Sequence, residues 1–308
     1  MNSYIKWFFK LALFVLLFAI IDIGFGYVMK SLDRLHEKQN PKADKTNYLF
    51  HQANEDVLVI GASEVEFSYR PDILTDSLGM SVYNCGKNGQ RLYYQTAIVN
   101  TIIDRYTPKL IIWSVSPRIL TPHKVDKEYL SCLKPYYKEN KYCESLLQSR
   151  SKYEKYKIHS SFYVYNSYVW DCIKNVFNKK VDANNGYRII GKSKEHPELE
   201  QTNWDFEPEE FSIQLFDETL KHLKENQVRT VFVFSPNYSS GDYHTSADYR
   251  ILREKIEENG FDLIEEFYHN PSLMNAELFK DKDHLTEKGV ELYTPMIAHE
   301  IKQLLNEE

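Results

Sequence analysis

The feature that most constrains the fold is an alternation of short apolar runs with longer segments of helical periodicity. Each run is almost continuously apolar, which is typical of a strand in a parallel sheet covered on both faces. The predicted strands are residues 56–63, 81–86, 109–116, 229–236 and 261–267. The predicted helices are residues 89–106, 209–227, 248–260 and a last helix with Thr286 as its N-cap. The alternation therefore predicts an α/β domain around a mainly parallel five-stranded sheet.

Residues 118–206 interrupt this alternation. The segment is long, rich in tyrosine and weakly periodic, and it follows the third predicted strand. Loops at the carboxyl ends of parallel strands build the binding sites of α/β domains. We therefore expect a helical insertion or cap, whose aromatic residues either line a substrate surface or pack short helices onto the domain.

An apolar segment near the N-terminus has the length of a transmembrane helix. It runs over residues 7–29, with the sequence WFFKLALFVLLFAIIDIGFGYVM, and no small-x-small cleavage site follows it. This favours an uncleaved signal anchor over residues 1–30, followed by a polar linker over residues 31–54 and a domain over residues 55–308. Asp22 inside the run either faces a partner or cavity, or lies near the far interface of the membrane.

The charges flanking the anchor do not decide its orientation, because lysines precede the segment and basic residues also follow it. A short N-terminal tail most simply stays inside the cell. The sequence then predicts a single-pass protein of the cytoplasmic membrane with its domain on the periplasmic or other extracytoplasmic side.

Composition argues against several classes of function. The 308 residues carry a net charge of −6, and no nucleic-acid motif is recognisable. The cysteines form no CxxC pair, and the histidines show no metal-binding spacing, so we expect neither a metal nor a cofactor. A disulfide between Cys132 and Cys143 is open, and Cys85 is interpreted as a buried thiol. The histidines considered and set aside as ligands are His123, His159 and His269.

The first predicted strand ends on Ser63, within the sequence VLVIGAS. This serine is either part of an ordinary turn or a nucleophile delivered to the rim of the sheet. Near the other end of the chain, Asp281 and His284 stand at D-x-x-H spacing just before the last helix. Asp281 can orient the ring of His284 so that its other nitrogen takes a proton from a serine. The adjacent Asp283 is less suited to this, and both aspartates are alternatively helix-capping residues.

A third motif, YNCGKNGQ over residues 83–90, follows the second predicted strand and opens a helix. Glycines at such a place let a backbone N–H approach a ligand, and an N–H at a helix start stabilises an oxyanion. The alternative is a plain turn from strand to helix.

Taken together and in this order, the three motifs resemble those of the SGNH (GDSL-type) hydrolase family, over residues 56 to about 305. The resemblance implies a flavodoxin-like three-layer α/β/α sandwich. It implies Ser63 as the nucleophile, with Asp281 and His284 completing a triad. It also implies an oxyanion hole formed in part by the backbone N–H groups of Ser63 and Gly89.

One motif departs from the family. The family has an asparagine after its third strand, where this chain has Pro117 in the sequence SVSPRI. Proline offers no donor, so one oxyanion contact is missing or comes from elsewhere. The candidate replacements are Asn88, Asn166, Asn237 and Arg118.

Within the family, an anchored domain with an altered third motif resembles the D-alanyl transfer protein of teichoic-acid modification and the SGNH partners of membrane-bound O-acyltransferases, with short phrases similar to anchored proteins of Bacteroidetes. This implies a membrane-anchored serine esterase or O-acyltransferase that acts on acyl esters of an envelope glycan or glycolipid. The alternative is a non-catalytic or weakly active accessory protein that binds a polymer or docks on a membrane-bound O-acyltransferase. A nucleotide- or flavin-binding domain is disfavoured, because no glycine-rich phosphate loop follows the first strand.

Overall fold

Five short strands form one parallel sheet, and each lies within one of the five predicted runs. Their order across the sheet is β2-β1-β3-β4-β5, and every neighbouring pair is parallel. The strands are β1 (Val57–Ile60), β2 (Val82–Asn84), β3 (Leu110–Ser114), β4 (Thr230–Val233) and β5 (Asp262–Ile264). The prediction of a mixed α/β fold around a mainly parallel five-stranded sheet is confirmed.

The computed structural model describes residues 3–177, 184–191 and 196–306, which fall into two compact units. The anchor unit comprises the described residues up to Asp44 and those from Leu130 to Phe177. The sheet unit comprises Lys45–Tyr129 and the described residues from Asn184 onward.

Helices in the sheet unit connect the strands. They are α2 (Lys45–His51), α3 (Ser63–Ser68), α4 (Pro71–Leu78), α5 (Leu92–Arg105), α6 (Asp126–Tyr129), α11 (Glu210–Glu225), α12 (Ala247–Glu258) and α13 (Glu287–Asn306). The predicted N-cap of the last helix is observed, since Thr286 Oγ1 accepts a hydrogen bond from the N–H of Gly289 at 3.3 Å. The shorter elements are 3₁₀-helices at Tyr243–Thr245 and Ala276–Leu278, a bridge between Glu200–Gln201 and Ser239–Ser240, and a hairpin of Phe279–Asp281 with His284–Leu285.

Alternate residues of each strand pack against different helices. On β4, Val231 and Val233 belong to a buried cluster that includes Tyr293 of α13. The intervening Phe232 instead contacts the ring of Phe216 on α11, with ring centroids 5.7 Å apart. Burial on both sides explains why the strands are almost continuously apolar rather than alternating.

The anchor unit consists of α1 (Ser3–Gln39) and short helices from the insertion. These are a 3₁₀-helix (Leu130–Tyr136), α7 (Lys141–Arg150), α8 (Glu154–Lys157), α9 (Ser161–Tyr165) and α10 (Val169–Phe177). The helix α1 is long and apolar enough to cross a membrane. Asp22 contacts the start of α9, so of the two alternatives for this residue the structure supports the one with a partner.

The division of the chain differs from the sequence-based one. The predicted linker over residues 31–54 continues α1 to Gln39 and then forms α2, where Leu49 is fully buried. The predicted insertion over residues 118–206 is split, because its residues 130–177 pack with α1, and its residues 178–183 and 192–195 lie outside the described residues. A continuous helix and a tertiary contact between distant segments leave no local signal in composition. The structure has Cys132 and Cys143 as thiols, so the disulfide left open by the sequence is not formed.

Candidate active site

The structure brings Ser63, His284 and Asp281 into one hydrogen-bonded chain. Ser63 is the first residue of α3, directly after the turn that ends β1. Its Oγ lies 2.7 Å from Nε2 of His284, and Nδ1 of the same ring lies 2.7 Å and 2.8 Å from the two carboxylate oxygens of Asp281. A serine hydroxyl, an imidazole and an orienting carboxylate in this order are the geometry of a nucleophile with its general base.

The turn of the hairpin explains why Asp281 rather than Asp283 meets the ring. Asp281 Oδ1 accepts hydrogen bonds from the backbone N–H groups of Asp283 and His284, at 3.0 Å and 3.1 Å. The carboxylate therefore closes the turn and is held beside the imidazole. Asp283 points elsewhere, and its Oδ1 accepts a hydrogen bond from Asn237 Nδ2 at 2.7 Å. Since Thr286 caps α13, neither aspartate is needed for that role.

The two titratable groups of the triad shift each other's pKa. Burial acts to raise the pKa of Asp281, but hydrogen bonds from the His284 ring and from two backbone N–H groups outweigh it and lower that pKa. Burial acts to lower the pKa of His284, but the hydrogen bond and charge of Asp281, with the charges of Asp283 and Glu64, outweigh it and raise that pKa. The pair therefore favours a carboxylate beside an imidazole that readily becomes imidazolium.

Two backbone N–H groups are available beside the serine. Ser63 and Gly89 both line a cavity of about 250 Å³, and neither N–H donates a hydrogen bond within the described part of the chain. Gly89 has φ of +74°, and a Cβ there would lie 2.9 Å from the ring of Tyr129, so another residue would be strained. These are the two N–H groups that the family resemblance implies as part of an oxyanion hole.

A buried carboxylate missed by the sequence analysis supports the loop that carries Gly89. Glu66 is only 4% exposed, and its Oε2 accepts the backbone N–H of Asn88 at 2.9 Å. Lys45 Nζ lies 3.9 Å from Glu66 Oε1, and Arg188 Nη1 lies 3.4 Å from the same atom. Glu66 therefore fixes the backbone one residue before Gly89. Only tertiary packing brings these residues together, so no local sequence pattern predicts the contact between Glu66 and Asn88.

The same loop approaches α3 closely at Gly86. A Cβ on Gly86 would lie 2.3 Å from the backbone nitrogen of Glu66. Asn84 at the end of β2 strengthens the contact, because its Nδ2 donates to the backbone oxygens of Val65 and Tyr69 at 2.7 Å and 2.8 Å. The end of β2 is thus locked onto the helix that carries Ser63.

Another acidic residue that the sequence analysis missed is Glu64, which lines the cavity. Glu64 follows the serine directly, and its Oε1 accepts the N–H of Ala62 at 2.9 Å. Burial raises the pKa of this carboxyl, and the charge of Asp283 adds to the rise. The position of Glu64 next to Ser63 is the sequence feature that could have identified it as a site residue.

A second side of the cavity is formed by the end of β3, the loop that follows it and the residues after β4. Ser114 Oγ lies 2.7 Å from Ser235 Oγ, which lies 2.8 Å from the hydroxyl of Tyr69. The Tyr69 hydroxyl in turn lies 2.7 Å from that of Tyr293. A buried chain of hydroxyl groups therefore runs from the cavity into the core.

The structure separates the four candidates for the missing oxyanion donor. Asn166 belongs to the anchor unit, where its Oδ1 accepts a hydrogen bond from Lys134 at 3.1 Å. Asn237 lines the cavity, but its Nδ2 is committed to Asp283. The remaining two candidates, Asn88 and Arg118, both line the cavity.

Arg118 differs from the other cations of the cavity. Arg91 is paired with Asp126 at 3.0 Å, and Lys282 is paired with Glu200 at 3.0 Å. Among the described residues Arg118 has no carboxylate partner, and its guanidinium lies over the ring of Phe206, 5.1 Å from the centroid. Its side chain therefore remains able to donate to a bound group.

The other residues singled out by the sequence belong neither to the triad nor to the cavity lining. Cys85 is buried, which raises the pKa of its thiol and disfavours the reactive thiolate. His269 Nε2 lies 3.3 Å from Ser239 Oγ. Within the described ranges, no group of three His, Cys, Asp or Glu side chains could hold a metal ion. His123 and His159 therefore belong to no such group.

In comparisons with known proteins, no protein-family model and no curated protein sequence matches this chain. The family resemblance therefore stays a prediction that rests on the three motifs.

Proposed function

We propose that the protein is a membrane-anchored serine esterase or O-acyltransferase that acts on acyl esters of an envelope glycan or glycolipid. The observation that carries the proposal is the hydrogen-bonded chain from Ser63 through His284 to Asp281. It is supported by the backbone N–H groups of Ser63 and Gly89. Both residues line the same cavity, and neither N–H donates a hydrogen bond within the described part of the chain.

The fold supports the same proposal. The strand order of the sheet is the one found in flavodoxin-like domains. Side chains on the two sides of β4 reach different helices, as expected if helices cover both faces in a three-layer sandwich. In open parallel sheets, ligands bind beyond the carboxyl ends of the strands, and Ser63 follows the carboxyl end of β1.

In the proposed reaction, Ser63 Oγ attacks the ester carbonyl carbon while its proton moves to His284 Nε2. The N–H groups of Ser63 and Gly89 stabilise the tetrahedral oxyanion. The ester C–O bond then breaks, and the imidazolium returns the proton to the departing alcohol. Water or a sugar hydroxyl then attacks the acyl carbon while His284 takes its proton, and the imidazolium returns that proton to Ser63 Oγ as the acyl C–O bond breaks. Asp281 holds the ring and stabilises its charged form throughout.

A fluorophosphonate probe tests the nucleophile on the full-length protein in detergent. We expect the wild type to be labelled and both Ser63→Ala and His284→Ala to lose labelling. Ser116→Ala is the matched control, because Ser116 lines the same cavity outside the triad. Labelling that persists in folded Ser63→Ala would contradict the assignment.

The second candidate function is an accessory protein that binds a polymer or docks on a membrane-bound O-acyltransferase. Pro117 at the place of the family's asparagine favours it, because one oxyanion donor is lost there. A folded wild-type protein that no fluorophosphonate labels, but that co-purifies with a membrane acyltransferase, would favour this function over the first.

The helix α1 fits a single-pass anchor in the cytoplasmic membrane. We place the sheet unit on the extracytoplasmic side, where acylated envelope glycans and glycolipids are found. Protease accessibility in intact cells and in inverted vesicles tests this orientation.

A further inference from the structure

The anchor unit contains a contact between the apolar helix and the insertion. Asp22 of α1 is 6% exposed. Its carboxylate accepts hydrogen bonds from Ser160 Oγ at 2.7 Å, and from the backbone N–H groups of Ser161 and Phe162 at 2.8 Å and 2.9 Å. These groups lie at the start of α9, where a helix leaves its first N–H groups without internal partners. The carboxylate and the helix start therefore satisfy each other.

The position of Asp22 along α1 sets the depth of this contact. The apolar run of α1 continues seven residues past Asp22 to Met29, a rise of about 10 Å at 1.5 Å per residue, and Met29 packs with Tyr165 and Cys172. The ring of Phe162 stacks on Phe25 at 4.7 Å and also contacts Phe18 at 5.8 Å, on either side of Asp22. The helices α9 and α10 thus pack on the last turns of the apolar run, where α1 leaves the hydrocarbon.

A hydrogen bond ties the preceding helix to α9. The Tyr163 hydroxyl donates to the carboxylate of Glu154 in α8, with oxygen distances of 2.7 Å and 2.9 Å. Glu154 is almost fully buried, and its carboxylate also pairs with Lys157 at 2.7 Å. The residues around α8 are therefore held against α9, which packs on the end of the apolar run.

The surface of this segment has the chemistry of a membrane interface. Residues 130–177 contain eight Lys and Arg against four Asp and Glu, in a chain whose net charge is −6. Lys152 and Lys155 are exposed and have no ion pair with a carboxylate among the described residues. Tyr153 and Tyr156 beside them are 57% and 66% exposed. Tyrosine favours the headgroup level of bilayers, and lysine near a membrane is attracted to anionic lipid.

We propose that Lys152, Tyr153, Lys155 and Tyr156 form a headgroup face that binds the phosphate groups of anionic phospholipids. The face lies against the membrane that α1 crosses. The lysines contact lipid phosphates, and the tyrosine rings lie at the interface. A second attachment beside the helix adds to the hold of a single apolar segment and fixes the anchor unit on the bilayer surface. This inference rests on the proposed membrane anchor and does not depend on the proposed hydrolase activity.

Chymotrypsin cleavage after Tyr153 and Tyr156 tests the proposal. The full-length protein is placed in nanodiscs of phosphatidylcholine, with or without phosphatidylglycerol, and the cleaved bonds are identified by mass spectrometry. Attraction of two lysines to an anionic surface predicts cleavage about 10- to 30-fold slower in the anionic nanodiscs. The double variant Lys152→Glu, Lys155→Glu is expected to lose this difference.

The matched control is the double variant Lys224→Glu, Lys302→Glu, which reverses two exposed lysines of the sheet unit that likewise have no ion pair with a carboxylate among the described residues. It is expected to keep the slowing in anionic nanodiscs. Equal cleavage in both lipids would overturn the proposal, whether or not the tyrosines are protected and whether or not the protection survives the Lys152→Glu, Lys155→Glu change. Headgroup charge would then play no part. Loss of the effect in the control variant would assign it to overall charge instead.

Discussion

The two sides of the cavity are built differently. At the end of β1, Ser63, His284 and Asp281 are already joined by hydrogen bonds of 2.7 Å to 2.8 Å, and the neighbouring loop is fixed by Glu66. After β3, Pro117 stands where the resembled family has an asparagine, and the nearby Arg118 has no carboxylate partner among the described residues. The hydrogen bonds of the first side are formed within the chain, whereas the second side keeps a cationic side chain without a carboxylate partner among the described residues. The following predictions test that difference.

The largest effect is expected on the first side, from Asp281→Asn. Loss of the carboxylate removes the acceptor that fixes the tautomer of His284 and stabilises the imidazolium, and the corresponding change in a serine-histidine-aspartate enzyme lowers kcat by about 10⁴. Hydrolysis of a chromogenic acyl ester would measure it. Asp283→Asn is the control, since Asp283 bonds to Asn237 instead of the ring, and we expect it to retain most of the activity. Equal losses in the two variants would contradict the assigned roles.

The Asp281→Asn variant is also expected to change the pH dependence of the activity. Asp281 raises the pKa of His284 above its ordinary value of 6.5, and a protonated ring cannot accept the proton of Ser63. Wild-type kcat/KM should therefore fall as pH drops through that raised pKa. In Asp281→Asn the residual activity should persist to lower pH, because the main cause of the raised pKa is gone. If kcat/KM of Asp281→Asn falls at the same pH as that of the wild type, a group other than His284 governs this acidic limb of the pH profile.

A smaller effect is expected on the second side, from Arg118→Gln. If the guanidinium donates to the oxyanion in place of the missing asparagine, its removal lowers kcat by about 10² to 10³ with little change in KM. A charge-assisted donor is stronger than a neutral amide, so Asn88→Ala should cost less than Arg118→Gln. Arg118→Lys should restore part of the loss. A larger loss in Asn88→Ala would transfer the role to Asn88.

The contrast also explains what the sequence could predict. Ser63, Gly89, Asp281 and His284 lie at strand ends or in a local turn, where a short pattern identifies a residue and its neighbours. The choice among Asn88, Asn166, Asn237 and Arg118 depends on which side chains the fold brings to one cavity, and no local pattern carries that information. The grouping of residues 130–177 with α1 was missed for the same reason, because Asp22 and Ser160 are distant along the chain.

The smallest effect is expected from Glu66→Gln, which tests how far the first side depends on its buried support. The amide oxygen of glutamine can still accept the N–H of Asn88, but the negative charge near Lys45 and Arg188 is lost. We expect kcat to fall by no more than about tenfold, because the oxyanion donor of Gly89 is loosened rather than removed. KM and the pH limb should stay unchanged, since Glu66 contacts neither the triad nor the cavity. Glu66→Ala also removes the acceptor and should lower kcat further, with thermal unfolding separating loss of fold from loss of position. A shift of the pH limb in Glu66→Gln would show that this carboxylate acts on His284, and the two sides would then differ less than the static contacts suggest.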